Sequence, residues 1–317
     1  MRLRVLGVTA LVIAALLALP VLFVVSSVFR GGGETWAHLL ATGLPRYVAN
    51  TALMLVAVAW GVVSMGVLSA WLVTVYRFPG RDTLQWALML PFAMPAYVMA
   101  YVYTDWLQFT GPVQSTLRSL TGWEAHQYWF PEIRSLGGAA AMLSFALYPY
   151  VYLIARTAFA EMSRSAVEAA RLAGLSPWRA FFRVAVPLAR PAIVAGASLA
   201  LMEALADFGT VSYFAVEVFT TGIFKAWLSM GDSVAAAQLS TCLMAFVVLV
   251  LALERASRRR AMQALRRRRR SSPARRRCFS ASCCRVPCWC RSPGARRRCS
   301  SADASPRCSP TASPWRG

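Results

Sequence analysis

Two acidic side chains stand out because they interrupt a long apolar stretch of the sequence. Glu203 and Asp207 are the charged residues of Pro191–Val216, and residues four apart share one face of a helix. An ionised acid at the centre of a bilayer costs roughly 2.5–3.5 kcal/mol, so both should face a bundle interior, a partner subunit or water. Two interpretations stay open. The pair lines the path of a hard cation that prefers oxygen ligands, or it hydrogen-bonds between helices and fixes their packing.

A second group of residues suited to binding lies in the arginine-rich segment 156–190. The sequence there predicts two short helices, of which the first is Ala-rich, covers about Ser165–Ala173 and ends at Gly174. The second helix is expected to begin with Ser176 as N-cap and Pro177 at the first helical position. It should stop at Pro187, because proline cannot continue a helix.

The second of these helices is amphipathic. It carries three aromatic side chains, Trp178, Phe181 and Phe182, together with Arg179 and Arg183. Exposed aromatic side chains on such a helix need a groove on a partner to bury them. We therefore expect this segment to be a docking surface.

The sequence lacks the residues for two common kinds of chemistry. A P-loop needs Gly-Lys-Ser/Thr to hold phosphates, but the one lysine, Lys225, follows Phe224. The two histidines, His38 and His126, are far apart in the sequence, so no zinc or haem site is predicted. We expect no catalytic residue, no ATPase motif and no cofactor, and any energy must come from a partner.

The elements that carry these residues are apolar enough to cross a membrane. Of the 317 residues, 57% are hydrophobic, and about 20 apolar residues of helix cross a bilayer core of ~30 Å. Six windows qualify: Val5–Phe29, Tyr47–Tyr76, Thr83–Thr104, Ser135–Ala155, Pro191–Val216 and Ser233–Leu253. The sequence therefore predicts an all-α polytopic membrane protein with six transmembrane helices.

The placement of arginine predicts the orientation of these spans, because Lys and Arg are enriched in cytoplasmic loops. Arg2 and Arg4 precede the first span. The predicted cytoplasmic segments are the N-terminus, 77–82, 156–190 and the tail after Glu254, and the predicted outside segments are 30–46, 105–134 and 217–232. Both termini are thus expected to be cytoplasmic.

The segment 161–190 resembles a motif of one transporter family. Glu168-Ala169-Ala170, then Gly174, then Val184-Ala185-Val186-Pro187 follow the pattern E-A-A-x3-G-x9-I-x-L-P, with valine in place of Ile and Leu. This is similar to the EAA loop of permease subunits in binding-protein-dependent ABC importers. The resemblance implies the ABC importer permease fold, a bacterial inner membrane location and a loop that docks on a separate cytoplasmic ATP-binding subunit. With the aromatic side chains above, the predicted docking residues are Glu168, Ala169, Ala170, Gly174, Trp178, Phe181, Phe182 and Pro187.

Further stretches resemble the permeases of ferric-iron importers. They are Pro95–Asp105, Gly111–Gln114, Tyr128–Gly137 and Ala206–Val211, and the resemblance covers roughly Ala41 to Glu254. It implies ferric iron as the substrate, a periplasmic substrate-binding protein as a partner, and a second permease half or a second copy of the chain. Permeases for thiamine and phosphonate share this layout and stay open as alternatives. The rival from another class is half of a secondary transporter driven by an ion gradient, although the internal repeats typical of such transporters are not found.

The last fifth of the chain differs from the rest in composition. The formal net charge is +21, yet residues 1–254 carry 15 Lys and Arg against 12 Asp and Glu, whereas residues 255–317 carry 19 arginines and one acid. Residues 266–317 have no helical or strand periodicity, which predicts a disordered Arg-rich tail without a packed core. We thus expect three parts: 1–46 with the first span and outside loop, 47–254 as the permease domain, and 255–317 as the basic tail.

Three interpretations of the tail stay open. The favoured one is a frameshifted or truncated linker of a permease that has two six-span halves. A basic arm could instead bind nucleic acid or anionic lipid. The third is a metal site at Cys283, Cys284, Cys288 and Cys290, which lack the spacing of zinc-finger cysteines. The favoured interpretation leaves membrane lipid as a partner and gives no role to nucleic acid.

Overall fold

The fold is all-helical, as predicted. A computed structural model describes residues 2–26, 39–124, 127–162, 172, 174 and 176–271, and these ranges contain no strand. The α-helices are α1 Arg2–Ser26, α2 Leu44–Val75, α3 Arg81–Ala87, α4 Ala96–Leu107, α5 Pro112–Thr121, α6 Leu136–Glu161, α7 Pro177–Ala180, α8 Val186–Ala206, α9 Gly209–Tyr213, α10 Phe219–Phe224 and α11 Ser233–Ser271. Three π-helical turns, Leu39–Gly43, Phe181–Ala185 and Lys225–Ser229, and one 3-10 turn, Leu90–Ala93, connect or extend them.

Five helical stretches are long and apolar enough to cross a membrane. They are Gly7–Ser26, Ala41–Val75, Leu136–Glu161, Pro177–Ala206 and Ser233–Ser257, and they confirm five of the six predicted windows with shifted ends. The remaining window, Thr83–Thr104, is not one straight helix, because Arg81–Ala93 and Ala96–Thr121 meet at an angle of 100°. Pro95 lies at this break, where its missing N–H and its ring prevent a continuous helix.

The core forms where α2, α6 and α8 pack against one another. Two glycines allow this close approach, one on α2 and one on α8, and both pack against α6. A Cβ on Gly66 would lie 2.7 Å from the Cβ of Val151, and a Cβ on Gly196 would lie 2.8 Å from the Cα of Val151. Small residues at helix contacts let backbones come together in a membrane, where packing rather than the hydrophobic effect drives association.

The first helix has little contact with this core. None of the described side chains of Gly7–Ser26 is buried, and the Thr241 hydroxyl donates a hydrogen bond to the Val24 carbonyl at 3.2 Å. An apolar helix exposed in this way suits contact with lipid acyl chains.

The chain divides into two units, Met1–Arg258 and Arg259–Gly317. In the second unit the backbone is helical as far as Ser271. The expectation that regular structure is lost from residue 266 is therefore wrong for 266–271, because the arginine run continues the helix and arginine is a good helix former. Residues 272–317, with the four cysteines named above, lie outside the described residues.

Candidate functional site

Glu203 and Asp207 line one cavity of about 450 Å³, here called the carboxylate cavity. One wall is the broken stretch from Pro91 to Tyr97, and helix α6 contributes Tyr150. No Lys, Arg or His is found in this lining, as far as the described ranges go. The cavity therefore presents two acids and the phenols of two tyrosines without a neutralising side chain.

Asp207 does not lie on the helix face predicted for it. Helix α8 ends at Ala206, and Asp207 is its C-cap residue in an extended conformation. Its carboxylate accepts hydrogen bonds from the backbone N–H and the hydroxyl of Thr210, at 2.8 and 3.1 Å, and a longer one from the N–H of Val211 at 3.4 Å. Asp207 follows the end of α8 and directly precedes Phe208, the N-cap residue of α9, and its carboxylate caps α9 by accepting from free N–H groups of the first turn.

The side chain of Glu203 is placed differently from that of Asp207. It lies in the last turn of α8, its side chain is exposed, and its backbone carbonyl accepts from the N–H of Asp207 at 3.0 Å. Between described residues, no hydrogen bond or ion pair to the Glu203 carboxylate is found. Glu203 is thus the acid that has unused lone pairs in the carboxylate cavity.

The broken wall of the cavity is a feature that the sequence indicated only in part. Pro91 and Pro95 predict an interrupted helix, but they do not give its direction or its neighbours. The ring of Phe92 packs edge-to-face on Tyr150 with centroids 4.6 Å apart. This contact fixes the wall to α6, and a pairing between residues so far apart in sequence has no local signal.

The second predicted helix of the docking segment begins at the predicted residues but does not stop at Pro187. The Ser176 side chain accepts from the N–H of Arg179, and Pro177 takes the first helical position of α7, which confirms both predictions. The predicted stop at Pro187 is wrong. The π turn Phe181–Ala185 leads directly into α8, and Pro187 occupies one of its first two positions, where the missing N–H costs nothing.

The three aromatic side chains of this segment do not form one surface. Trp178 and Phe182 are 55% and 63% exposed, and their rings stack with centroids 6.4 Å apart. Phe181 is 2% exposed, and its ring packs against the core residue Trp71 with ring centroids 5.1 Å apart. The prediction that all three are presented together is therefore wrong for Phe181, which the helical phase turns towards the core.

Of the remaining predicted docking residues, the structure describes Gly174 and Pro187. Gly174 has a φ of +81°, the left-handed conformation expected at the end of a helix. Pro187 is exposed. Glu168, Ala169 and Ala170 lie outside the described residues, and so does almost all of the predicted first helix.

A second cavity of about 440 Å³ lies beside α4, α5 and the segment 128–134, here called the outer-loop cavity. Its central side chain is Gln114, which is buried. The amide of Gln114 donates to the Leu107 carbonyl at 2.7 Å and accepts from the Tyr128 hydroxyl at 2.8 Å, and that hydroxyl accepts from Arg118 at 3.1 Å. Sequence reasoning missed this network, because glutamine, tyrosine and arginine are ordinary residues in a loop.

Comparison with known proteins identifies the class to which this architecture belongs. The family described as "Binding-protein-dependent transport system inner membrane component" matches residues 62–271. The solved structures with a similar fold include a bacterial ABC transporter for the import of alginate, with a TM-score of 0.61 and 16% identity over 81% of this chain and 95% of that one. The methionine ABC transporter MetNI has a TM-score of 0.52 and 18% identity, over 73% of this chain and 99% of that one. The chain therefore belongs to the family of binding-protein-dependent transport inner membrane components, and it has the fold of ABC importer permeases.

Curated relatives differ in what their names say they transport. An Fe(3+)-transport permease, FbpB 2 of Haemophilus influenzae, is 28% identical over 235 residues, which are 74% of this chain and 42% of the relative. The sulfate permeases CysT and CysW of Escherichia coli are 31% and 30% identical, over 47% and 65% of this chain and 51% and 68% of their own lengths. The chain spans about half the length of the first two relatives. Iron and sulfate permeases are thus both among the similar proteins.

Proposed function

We propose that this chain is a multi-pass permease subunit of a bacterial inner-membrane ABC importer and that its substrate is ferric iron. Its role is to couple ATP hydrolysis by a separate subunit to the passage of substrate between its helices. Family membership and the permease fold support the first part of this proposal. The charge of the carboxylate cavity supports the second.

The exposed pair Trp178 and Phe182 is the observation that carries the docking role. Large aromatic side chains at an exposed helix start contribute strongly to binding once a partner covers them. Their neighbour Phe181 is anchored in the core against Trp71 and Phe181 also contacts Phe182, with centroids 4.8 Å apart. A force on the exposed pair would therefore pass directly to the helix packing around α2.

The partners follow from this arrangement. A cytoplasmic ATP-binding subunit would cover Trp178, Phe182 and the loop at Gly174, which sets both termini of the chain on the cytoplasmic side. A periplasmic binding protein would deliver the substrate on the opposite side. A second permease half or a second copy of the chain would complete the path, and lipid would surround the exposed apolar helices.

The cavity charge distinguishes the two substrates suggested by the relatives. A sulfate ion would meet the unpaired carboxylate of Glu203, and like charges at close range are repelled by several kcal/mol. Ferric iron is a hard cation that prefers carboxylate and other oxygen ligands. The cavity therefore favours iron over sulfate.

The docking role is tested by replacing the exposed pair. Trp178→Ser with Phe182→Ser should lower the amount of ATP-binding subunit that co-purifies with the chain by about tenfold, because two hydrophobic anchors are lost. Trp129→Ser is the matched control, since Trp129 is 87% exposed but belongs to a predicted outside segment. Equal co-purification of the double variant and this control would refute the docking surface.

Gly174 provides a second test that leaves the anchors in place. At a φ of +81° a side chain is strained, so Gly174→Asp should distort the loop between the docking helices. We expect the variant to reach the membrane in normal amounts while substrate uptake is lost. Unchanged uptake and unchanged co-purification of the ATP-binding subunit would show that this loop is not the docking element.

A further inference from the structure

The carbonyls of Gln85 and Leu88 are among those that the break between α3 and α4 leaves without a helical donor. In a continued helix the carbonyl of Gln85 would accept from the N–H of Met89, or from that of Leu88 in a tighter turn. Instead, the Leu88 N–H donates to the Leu84 carbonyl and the Met89 N–H donates to the Trp86 carbonyl. For the carbonyl of Leu88, the corresponding residues are Pro91, which has no N–H, and Phe92, which donates to Met89. Non-helical backbone at membrane depth needs other donors, because no lipid group can hydrogen-bond to it.

Two tyrosines of α6 supply these donors, and an arginine of the same helix holds the side chain of Gln85. The Tyr148 hydroxyl donates to the Leu88 carbonyl at 2.8 Å, and the Tyr152 hydroxyl donates to the Gln85 carbonyl at 3.0 Å. Arg156 donates to the side-chain oxygen of Gln85 at 2.8 Å. Residues spaced by four lie on one face of a helix, so Tyr148, Tyr152 and Arg156 form one row, here called the α6 ladder.

The ladder holds the segment that becomes the wall of the carboxylate cavity. The residues after Leu88 form the 3-10 turn Leu90–Ala93, and Pro91 to Tyr97 line the cavity together with Tyr150 of α6. Towards its other end, α6 reaches Glu161, directly before the predicted docking loop. One continuous helix, α6, thus connects the loop to the cavity wall.

We propose that Tyr148, Tyr152 and Arg156 are positioning residues through which α6 sets the place of the 85–93 segment and so the width of the carboxylate cavity. The ladder itself is a structural claim, and its effect on transport rests on the function proposed above. The ladder residues do not contact the substrate. The two tyrosines satisfy carbonyls at the break and Arg156 binds the Gln85 side chain, so that the cavity wall moves together with α6.

The structural claim is tested by hydrogen exchange on the full chain in lipid nanodiscs. Tyr148→Phe with Tyr152→Phe removes both hydroxyls and keeps the ring volume. Amides in the peptide 85–94 should exchange about tenfold faster, because two carbonyls that anchor this segment to α6 lose their donors. Tyr101→Phe is the control, since Tyr101 is on α4, is exposed and contacts Tyr213 rather than the ladder residues. Equal exchange rates in the double variant and the control would overturn the proposal.

The arginine step is tested by a double-mutant cycle. Arg156→Leu and Gln85→Leu should each increase exchange in the 85–94 peptide, and the double variant should be no worse than the stronger single variant, because both remove the same hydrogen bond. Arg156→Lys keeps a donor and should restore slow exchange. Additive effects of the two leucine variants would show that Arg156 does not act through Gln85.

The transport consequence has its own readout. In the complex with the ATP-binding subunit, the double phenylalanine variant should lower substrate uptake per ATP hydrolysed by about fivefold, as residues along a coupling route often do. A general folding defect would instead lower abundance and ATP hydrolysis together. An unchanged ratio despite faster exchange would refute the coupling role of the ladder. If the unaltered chain itself takes up no substrate, the proposed function fails, and the exchange experiment still decides the ladder.

Discussion

The carboxylate cavity and the outer-loop cavity have nearly the same volume, about 450 and 440 Å³, but the side chains of Glu203 in the first and Gln114 in the second differ in their hydrogen bonding. In the outer-loop cavity the side chain of Gln114 both donates and accepts, and Tyr128 and Arg118 complete a continuous hydrogen-bonded row. In the carboxylate cavity Asp207 is used to cap a helix, whereas Glu203 keeps its lone pairs. The Glu203 carboxylate is exposed and accepts no hydrogen bond between described residues, so it is the group in this cavity that can still bind a substrate, as we propose for ferric iron.

The largest difference between the two cavities is expected when the charge of Glu203 is reversed. Glu203→Lys should reduce iron uptake by about 100-fold or more, because a cation would then meet a like charge in the cavity. Membrane abundance should stay normal, since the Glu203 carboxylate accepts no hydrogen bond between described residues. Uptake of radioactive iron, normalised to the amount of chain in the membrane, is the measurement. Retained uptake would remove Glu203 from the path.

Asp207 should respond as a structural residue. Asp207→Ala removes the acceptor for the N–H and hydroxyl of Thr210 and should destabilise the chain by about 1–2 kcal/mol, the usual cost of a lost cap. Asp207→Asn keeps one carbonyl oxygen and should recover most of this loss. Thermal unfolding of the two variants in detergent provides the comparison. Equal stability of alanine and asparagine at this position would contradict the capping role.

Replacing Gln114 in the outer-loop cavity should lower the stability of the chain without lowering transport. Gln114→Leu leaves the Leu107 carbonyl and the Tyr128 hydroxyl without their partner, at a cost of about 1–3 kcal/mol. We expect a lower unfolding temperature and near-normal iron uptake per folded chain. A selective loss of uptake at unchanged stability would mean that this cavity also handles substrate.

Tyr128→Phe should have the smallest effect of the series. It removes the hydroxyl that links Arg118 to Gln114, while the Gln114 amide still donates to the Leu107 carbonyl, so the expected loss is roughly 0.5–1.5 kcal/mol. The same thermal measurement applies. A loss larger than that of Gln114→Leu would show that the network depends on the Tyr128 hydroxyl more than on Gln114.

The long helices could be predicted from the sequence because length and apolar composition decide them locally. The cap at Ser176 and the left-handed Gly174 were predictable for the same reason, since each depends on a few adjacent residues. The break in Thr83–Thr104 was different. Pro91 and Pro95 indicate an interruption, but its direction and its contacts with Tyr148 and Tyr152, some 60 residues further along the chain, have no local signal.

The candidate site was predictable in its residues but not in their roles. The sequence pointed to Glu203 and Asp207 as a pair, yet the helix end at Ala206 separates them into a free acid and a cap. Likewise Phe181 was grouped with Trp178 and Phe182, but a π turn and the ring of Trp71 bury it. A helix end and a π turn both depend on tertiary contacts, which a spacing rule for regular helices does not contain.

The most direct test of the central claim is iron uptake by Glu203→Gln and Asp207→Asn, measured side by side with the unaltered chain in cells that supply the partner subunits. The account predicts that Glu203→Gln lowers uptake by about tenfold at normal abundance, since the anion is lost and the volume is kept. Asp207→Asn should stay within about twofold, because its amide can still cap α9. Radioactive sulfate offered to the same cells should not be taken up. Normal iron uptake by Glu203→Gln, or uptake of sulfate by the unaltered chain, would contradict the claim that Glu203 makes this cavity a path for a cation.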